Sequence, residues 1–317
     1  MPDGETAVVE RAAAAGRPLV GADRRVADAT TYGVGQLMAH ALARGARRII
    51  LGLGGSATND GGCGAAAALG VEFLDDAGQA FVPVGGTLHR IAHIRTAGVS
   101  PLLRRAEVIA MCDIDNPLCG ESGAAAVFGP QKGADAQTVR LLDSGLRHLA
   151  EVAEKDLGLS LLDLPGGGAA GGFGAGSVAF LNARLQMGID TVLDLTDFDR
   201  LAADACLVIT GEGRLDSQSL RGKVVIGVAR RTMDLGVPVV ALVGASDAPM
   251  DAAYASGVTA IFPINPAPVT LENAMAHAGE NLAFTAGNML RLFMASPKCN
   301  VPARADSARG RKKECVL

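Results

Sequence analysis

Apolar residues along this chain follow two alternating rhythms. Short continuous runs (RIILGLG, AEVIAMCD, ACLVIT, VPVVALVG and VTAIFPI) read as buried strands, and VEFLD as a further one. Between them lie segments with helical spacing. TYGVGQLMAHALARGARR places Val34, Met38, Ala41 and Leu42 on one face and ends in Arg44, Arg47 and Arg48, where cations favour the helix dipole. GGCGAAAALG predicts a small-residue helix stopped by Gly70. From 136 to 157, Val139, Leu142, Leu146, Leu149 and Ala153 make an amphipathic helix. PGGGAAGGFGAGSVAFL is a glycine-dense loop running into an apolar element. Further on, VVIGVARRTMDLG and MDAAYASG read as helices. The segment 270–293 reads as one long helix, with Leu271, Met275, Ala278, Leu282, Met289 and Phe293 on one stripe. Strands alternating with helices imply an α/β fold with mostly parallel sheets and right-handed crossovers.

That alternation divides in two. A first domain is expected over 1–195 and a second over 196–294, while 295–317 is polar, basic and aperiodic and reads as a disordered tail. Its Cys315 sits one position too late for a prenylation box.

Composition narrows the function. Among 317 residues the apolar fraction is 49% and the charged fraction 20%, which suits a sizeable core. Aromatics at 3% and a formal charge of −4 argue against nucleic-acid partners. The cysteines at 63, 112, 119, 206, 299 and 315 show no zinc-ligand spacing and read as reduced thiols of a cytoplasmic protein, Cys112 and Cys206 as core strand residues. The acidic start lacks the apolar stretch of a signal peptide, and no run approaches the ~20 residues of a membrane span.

The chemistry concentrates in four loops placed at strand ends, where parallel α/β sheets bind ligands: GGSATND (54–60), CDIDNP (112–117), GPQKGAD (129–135) and GEGRLDSQSLRGK (211–223). Gly54 and Gly55 with the helix start behind them suit an anion cradle, and Ser56, Thr58 and Asn59 add polar groups. Asp113, Asp115, Glu212 and Asp216 are hard oxygen donors suited to magnesium. Lys132, Arg214 and Lys223 supply cations for phosphate or carboxylate, and Asp60 or Asp113 a proton acceptor. These are the parts that phosphoryl transfer needs.

Each loop alone has a plainer reading. An Asp after a strand is often a cap or turn residue, Lys223 a surface residue, and Arg214 with Asp216 a surface pair. The histidines at 40, 89, 93, 148 and 277 follow no catalytic spacing. Gly52, Gly54 and Ala57 also spell G-x-G-x-x-A over 52–57, with Asp75 ending the next strand, so an NAD-dependent oxidoreductase is an alternative. Asp60 at the helix start opposes it, as an unwelcome charge beside a pyrophosphate. No Walker A lysine motif occurs. An inactive α/β remnant with a binding role only would explain the fold but not the clustered acids.

LGLGGSATNDGGCGAAAALG, CDIDNPLCGESGAAAVFGPQKGAD, GAAGGFGAG and LVITGEGRLDSQSLRGKVVIGVARR, in this order, closely resemble the bacterial type I glycerate kinase family, from about Gly4 to about Leu292. The resemblance implies a two-domain α/β fold with one domain inserted into the other. It implies transfer of the ATP γ-phosphoryl group to D-glycerate with magnesium, giving 2-phosphoglycerate in most bacterial members. Family members begin with a further segment carrying APDSFKGS-like and ADGGEG-like motifs, so the chain reads as an N-terminally truncated member lacking the first strands of the sheet in 196–294. In this reading Asp60, Asp113 and Arg214 are catalytic. Gly54, Gly55, Ser56, Thr58, Asn59, Lys132 and Lys223 bind ATP, and Asp115, Glu212 and Asp216 bind Mg2+. The partner is a small molecule, with neither nucleic acid nor membrane, and the reading leaves room for a homo-oligomer.

Overall fold

The computed structural model describes residues 1, 3–21, 25–217, 219–247 and 250–295. They fall into two compact units, Met1–Gln186 and Met187–Leu317. The expected junction at 195/196 lies inside the second unit, at the end of helix Gly188–Leu195. That helix belongs there because it seats on helix Val224–Met233: a Cβ at Gly227 would lie 2.6 Å from Ile189 Cγ2, an approach only glycine allows. The expected tail, apart from Ala295, lies outside the described residues.

The first unit contains, in chain order, β1 (Thr6–Glu10), β2 (Arg48–Gly52), β3 (Glu72–Leu74), β4 (Ala80–Phe81), β5 (His93–Arg95), β6 (Glu107–Met111) and β7 (Arg184–Gln186). A parallel sheet runs β1-β2-β6-β7. Its central strands carry Ile49, Ile50 and Leu51, then Val108, Ile109 and Ala110, all buried, because helices cover both faces and leave no side for polar residues. Strand β1 was not legible in the sequence; it lies at the sheet's edge and buries only Thr6 and Val9 of its five residues.

Helix Tyr32–Ala43 buries Val34, Met38 and Leu42 as its spacing predicts. Helix Ala136–Leu157 buries Leu142, Leu146, Leu149 and Ala153, and the Asp135 carboxylate caps it by accepting from Thr138 N at 2.7 Å. Strand β3 departs from expectation. It does not continue the parallel sheet but pairs antiparallel with β4 and β5 in a sheet of its own. Its three residues are followed by a turn in which the Asp75 carboxylate accepts from Ala77 N and Gln79 N, which returns the chain as a hairpin.

The second unit has a parallel sheet, β8 (Val208–Leu215), β9 (Val239–Ser246) and β10 (Ala260–Pro263), in the order β10-β9-β8. Two expectations change here. Residues 211–215, expected in a loop, continue β8, since Gly211, Glu212, Arg214 and Leu215 pair with Leu242, Val243, Ala245 and Ser246. Cys206, expected in a core strand, precedes β8 and is half-buried.

The expected helix over 270–293 is broken at His277 into Leu271–Ala276 and Ala278–Ala295. Of its apolar stripe only Met289 is buried; Leu271, Met275 and Leu282 are 76%, 70% and 44% exposed. The contact keeps Met289 and Phe293 of that stripe and adds Ala286 and Leu290, which together meet Val240 and Leu242 of β9. Spacing alone does not choose between two such faces on one helix. Among the described residues no helix is long and apolar enough to cross a membrane.

Candidate active site

The glycine loop after β2 is strapped to the segment after β1. Arg11 N donates to Gly52 O, Ala57 N to Ala15 O and Arg17 N to Gly55 O, all within 3.2 Å. This holds Gly54, Gly55 and Ser56 along one edge of a cavity of about 240 Å³. Asp113 and Ile114 from the end of β6, Lys132 from the 129–135 turn, Arg17, and Ala169 and Ala170 also line it. Three of the four loops singled out by sequence thus contribute to one cavity within the first unit.

Ala170 is a non-glycine residue in the left-handed region (φ 55°, ψ 34°), followed by Gly171 and Gly172 at φ 73° and 87°. These residues bend the start of helix Ala169–Leu181 against the glycine loop. A Cβ at position 171 would stand 2.1 Å from Thr58 O. Left-handed alanine costs of order 1 kcal/mol, and it persists where packing over-determines it.

Beneath the loop the side chains are charged and buried. Arg11, fully buried, donates Nη2 to Thr58 Oγ1 at 2.7 Å. Lys132, 3% exposed, donates Nζ to Thr58 O at 2.8 Å. Asp60, fully buried, accepts from Thr31 N and Oγ1 at 2.7 and 2.8 Å and from Gly62 N and Gly64 N at 3.1 and 3.3 Å. Burial pushes the Lys132 ammonium down to about 7, and the Arg11 charge pushes the same way against the pull of Asp60. Burial likewise brings Arg11 down to about 10.

These contacts revise several assignments. The amides at the start of helix Cys63–Ala68, expected to cradle a phosphate, are taken by the chain's own Asp60 carboxylate. Asp60 itself is off the cavity wall, and its hydrogen bonds tie the loop to Thr31 and to the start of that helix. Thr58 faces Arg11 and Lys132. Asn59 is fully buried, and its amide nitrogen and oxygen have no hydrogen-bond partner among the described residues. Of the two expected proton acceptors, Asp113 is the one at the cavity. Arg11 and Arg17 were missed, because an isolated arginine after an unrecognised strand carries no motif.

The dinucleotide fingerprint loses its context as well. Its acidic residue, Asp75, is committed to the hairpin turn and reaches Arg90 at 3.5 Å, and its strand lies outside the parallel sheet.

In the second unit, Glu212 and Asp216 lie close enough to act on each other. Burial chiefly, with the Asp216 charge, raises the Glu212 carboxyl above its ordinary range, while Ser219 and Lys223 oppose this. Glu212 Oε1 is a buried atom with no hydrogen-bond partner among the described residues. Asp216 Oδ1 accepts from Ser219 N at 3.0 Å. Arg214 pairs with Asp247, in contacts of 2.9–3.1 Å, and not with Asp216 as its spacing suggested. Lys223 is the exposed residue preceding helix Val224–Met233. Asp115 is exposed on the first unit's 112–117 segment.

No three His, Cys, Asp or Glu side chains gather at metal spacing among the described residues. Magnesium bound through phosphate needs only one or two carboxylates, with water for the rest. Glu212, with an unsatisfied buried oxygen beside a second acid, fits that requirement.

Comparison with known proteins supplies the family. The profile of the Glycerate kinase family matches residues 1–294. Glycerate kinase of Bacillus subtilis (strain 168) is 48% identical over 287 residues, covering 90% of this chain and 75% of that protein. Glycerate 2-kinase of Escherichia coli (strain K12) is 42% identical, covering 90% and 76%. A crystal structure assigned as glycerate kinase 2 from Salmonella typhimurium LT2 superposes with a TM-score of 0.79 at 42% identity, covering 92% of this chain and 77% of that one. With a cavity of glycine backbone, lysine and aspartate at the strand ends and this breadth of similarity, the chain belongs to the glycerate kinase family.

Proposed function

We propose that the chain transfers the γ-phosphoryl group of ATP to a hydroxyl of D-glycerate, with 2-phosphoglycerate the favoured product. The supporting observation is the first unit's cavity, where Gly54, Gly55 and Ser56 meet Lys132, Arg17 and Asp113. In this reading the Gly54–Ser56 edge and Lys132 hold phosphate oxygens, positive charge being worth most where water is excluded. Asp113 accepts the proton of the attacking hydroxyl. Arg17, exposed at the rim, takes the carboxylate of the substrate.

On the second unit, Glu212 and Asp216 supply the hard oxygens that would hold magnesium. When bound, the ion neutralises charge on phosphate oxygens. Arg214, already fixed by Asp247, and Lys223 are the further cations of the reading. The E. coli relative's name as a 2-kinase favours the C2 hydroxyl. Use of ATP, and thiols that are free at Cys63, Cys112 and Cys119, go with a cytoplasmic setting.

The test is ADP release by the full chain with D-glycerate and magnesium, with the product read by 31P NMR. Glycerate-dependent ADP and a phosphoester at C2 are expected. Tight NAD binding without ADP release would instead favour the oxidoreductase, and neither activity would leave a binding protein.

A further inference from the structure

Two cations and one anion are sealed beneath the cavity, and that imbalance has a consequence for binding. Arg11 and Lys132 converge on Thr58, one at its hydroxyl and the other at its carbonyl. Asp60 is the carboxylate that acts on both. Its oxygens are already engaged by Thr31, Gly62 and Gly64, so it balances one positive charge without a direct bond to either cation. Arg17 adds a third positive charge at the rim, and Asp113 is the acidic group on the same cavity wall. Nε and Nη1 of Arg11 are buried without hydrogen-bond partners among the described residues, so no carboxylate among them is bonded to the guanidinium.

We propose that Arg11 is a positioning residue for Lys132: with the cavity empty it favours the neutral amine, and entry of an anionic phosphate or carboxylate group draws a proton from solvent onto Lys132. The physical reason is charge balance at low dielectric. Arginine does not give up its proton at neutral pH, so the surplus charge is shed at the lysine. An anion at the cavity wall supplies the missing countercharge, and the ammonium is restored. Burial is the larger cause of the lowered Lys132 titration, about 7 against its ordinary 10.5, and the Arg11 charge adds to it. The inference deepens the kinase reading, since the anion would be the substrate's own.

The test is calorimetric titration of the full-length chain at pH 8 with inorganic phosphate and, separately, D-glycerate, in buffers of different ionisation enthalpy. Most of one proton should be taken up per anion bound, falling toward none at pH 6, where Lys132 is already charged. Arg11→Met, which leaves Lys132 buried but removes the neighbouring charge, should reduce the uptake at pH 8 while retaining binding, and Arg11→Lys, which keeps the charge, should restore it. If Arg11→Met does not fold, Lys132→Met must show no uptake. Anion binding without uptake in the natural chain, uptake undiminished in Arg11→Met, uptake that persists in Lys132→Met, or failure of both anions to bind would each overturn the proposal. Phosphate binding with uptake but no response to D-glycerate would uphold this inference and count against the glycerate reading.

Discussion

The two units each carry a cluster of charged side chains at strand ends, and they treat charge in opposite ways. In the first, Arg11, Asp60 and Lys132 are buried to 3% exposure or less. In the second, the Arg214–Asp247 pair lies open, with side chains 63% and 48% exposed. A buried charge is felt by its neighbours across little water, and each lost partner leaves an uncompensated ion. An exposed pair is screened and contributes little. The same residue types therefore constrain the fold strongly in the first unit and weakly in the second.

Removing the anchor should show this most strongly. Asp60→Ala deletes the acceptor for Thr31, Gly62 and Gly64 and leaves two buried cations facing each other, so a loss of about 3–5 kcal/mol is expected in denaturant unfolding. A change below about 1 kcal/mol would contradict the role given to it.

Next is Gly171→Ala. Its Cβ would meet Thr58 O at 2.1 Å with φ at 73°, so the loop must shift, at a cost of about 2–3 kcal/mol in the same assay.

A pH series sharpens the contrast without altering the backbone. Lys132 titrates near 7 when folded and near 10.5 when unfolded, so between these values the unfolded chain binds more protons. Stability from this group must then rise with pH from about 7 toward 10 and be lowest below 7. Lys132→Met should remove that rise.

The smallest effect belongs to the open pair. A double-mutant cycle on Arg214 and Asp247 should give a coupling of about 0.2–1 kcal/mol that shrinks with added salt.

How far the sequence disclosed all this follows the same division. The central strands of the parallel sheets were readable because burial on both faces demands unbroken apolar runs, as in Ile49–Leu51. The amphipathic helix Ala136–Leu157 was readable because one face is core and the other solvent. Strand β1 was not, being short and at an edge, and β3 looked like its neighbours because pairing direction leaves little mark on three residues.

Among site residues, glycine loops and their adjoining acids announce themselves by composition. What each carboxylate faces is decided by folding. Asp60 and Asp113 look equivalent in the sequence, yet one caps a helix start from within and the other lines the cavity. Arg11 had no signal at all, because its importance lies in burial.

The account stands or falls on whether the concealed cluster in the first unit serves phosphoryl transfer. The direct measurement is the rate of D-glycerate-dependent ADP formation by the full chain and by its Lys132→Met variant, each confirmed folded by circular dichroism. Turnover by the natural chain, with kcat/KM reduced about 10²- to 10³-fold in the variant, is the predicted result. Turnover by both within a factor of two would contradict it.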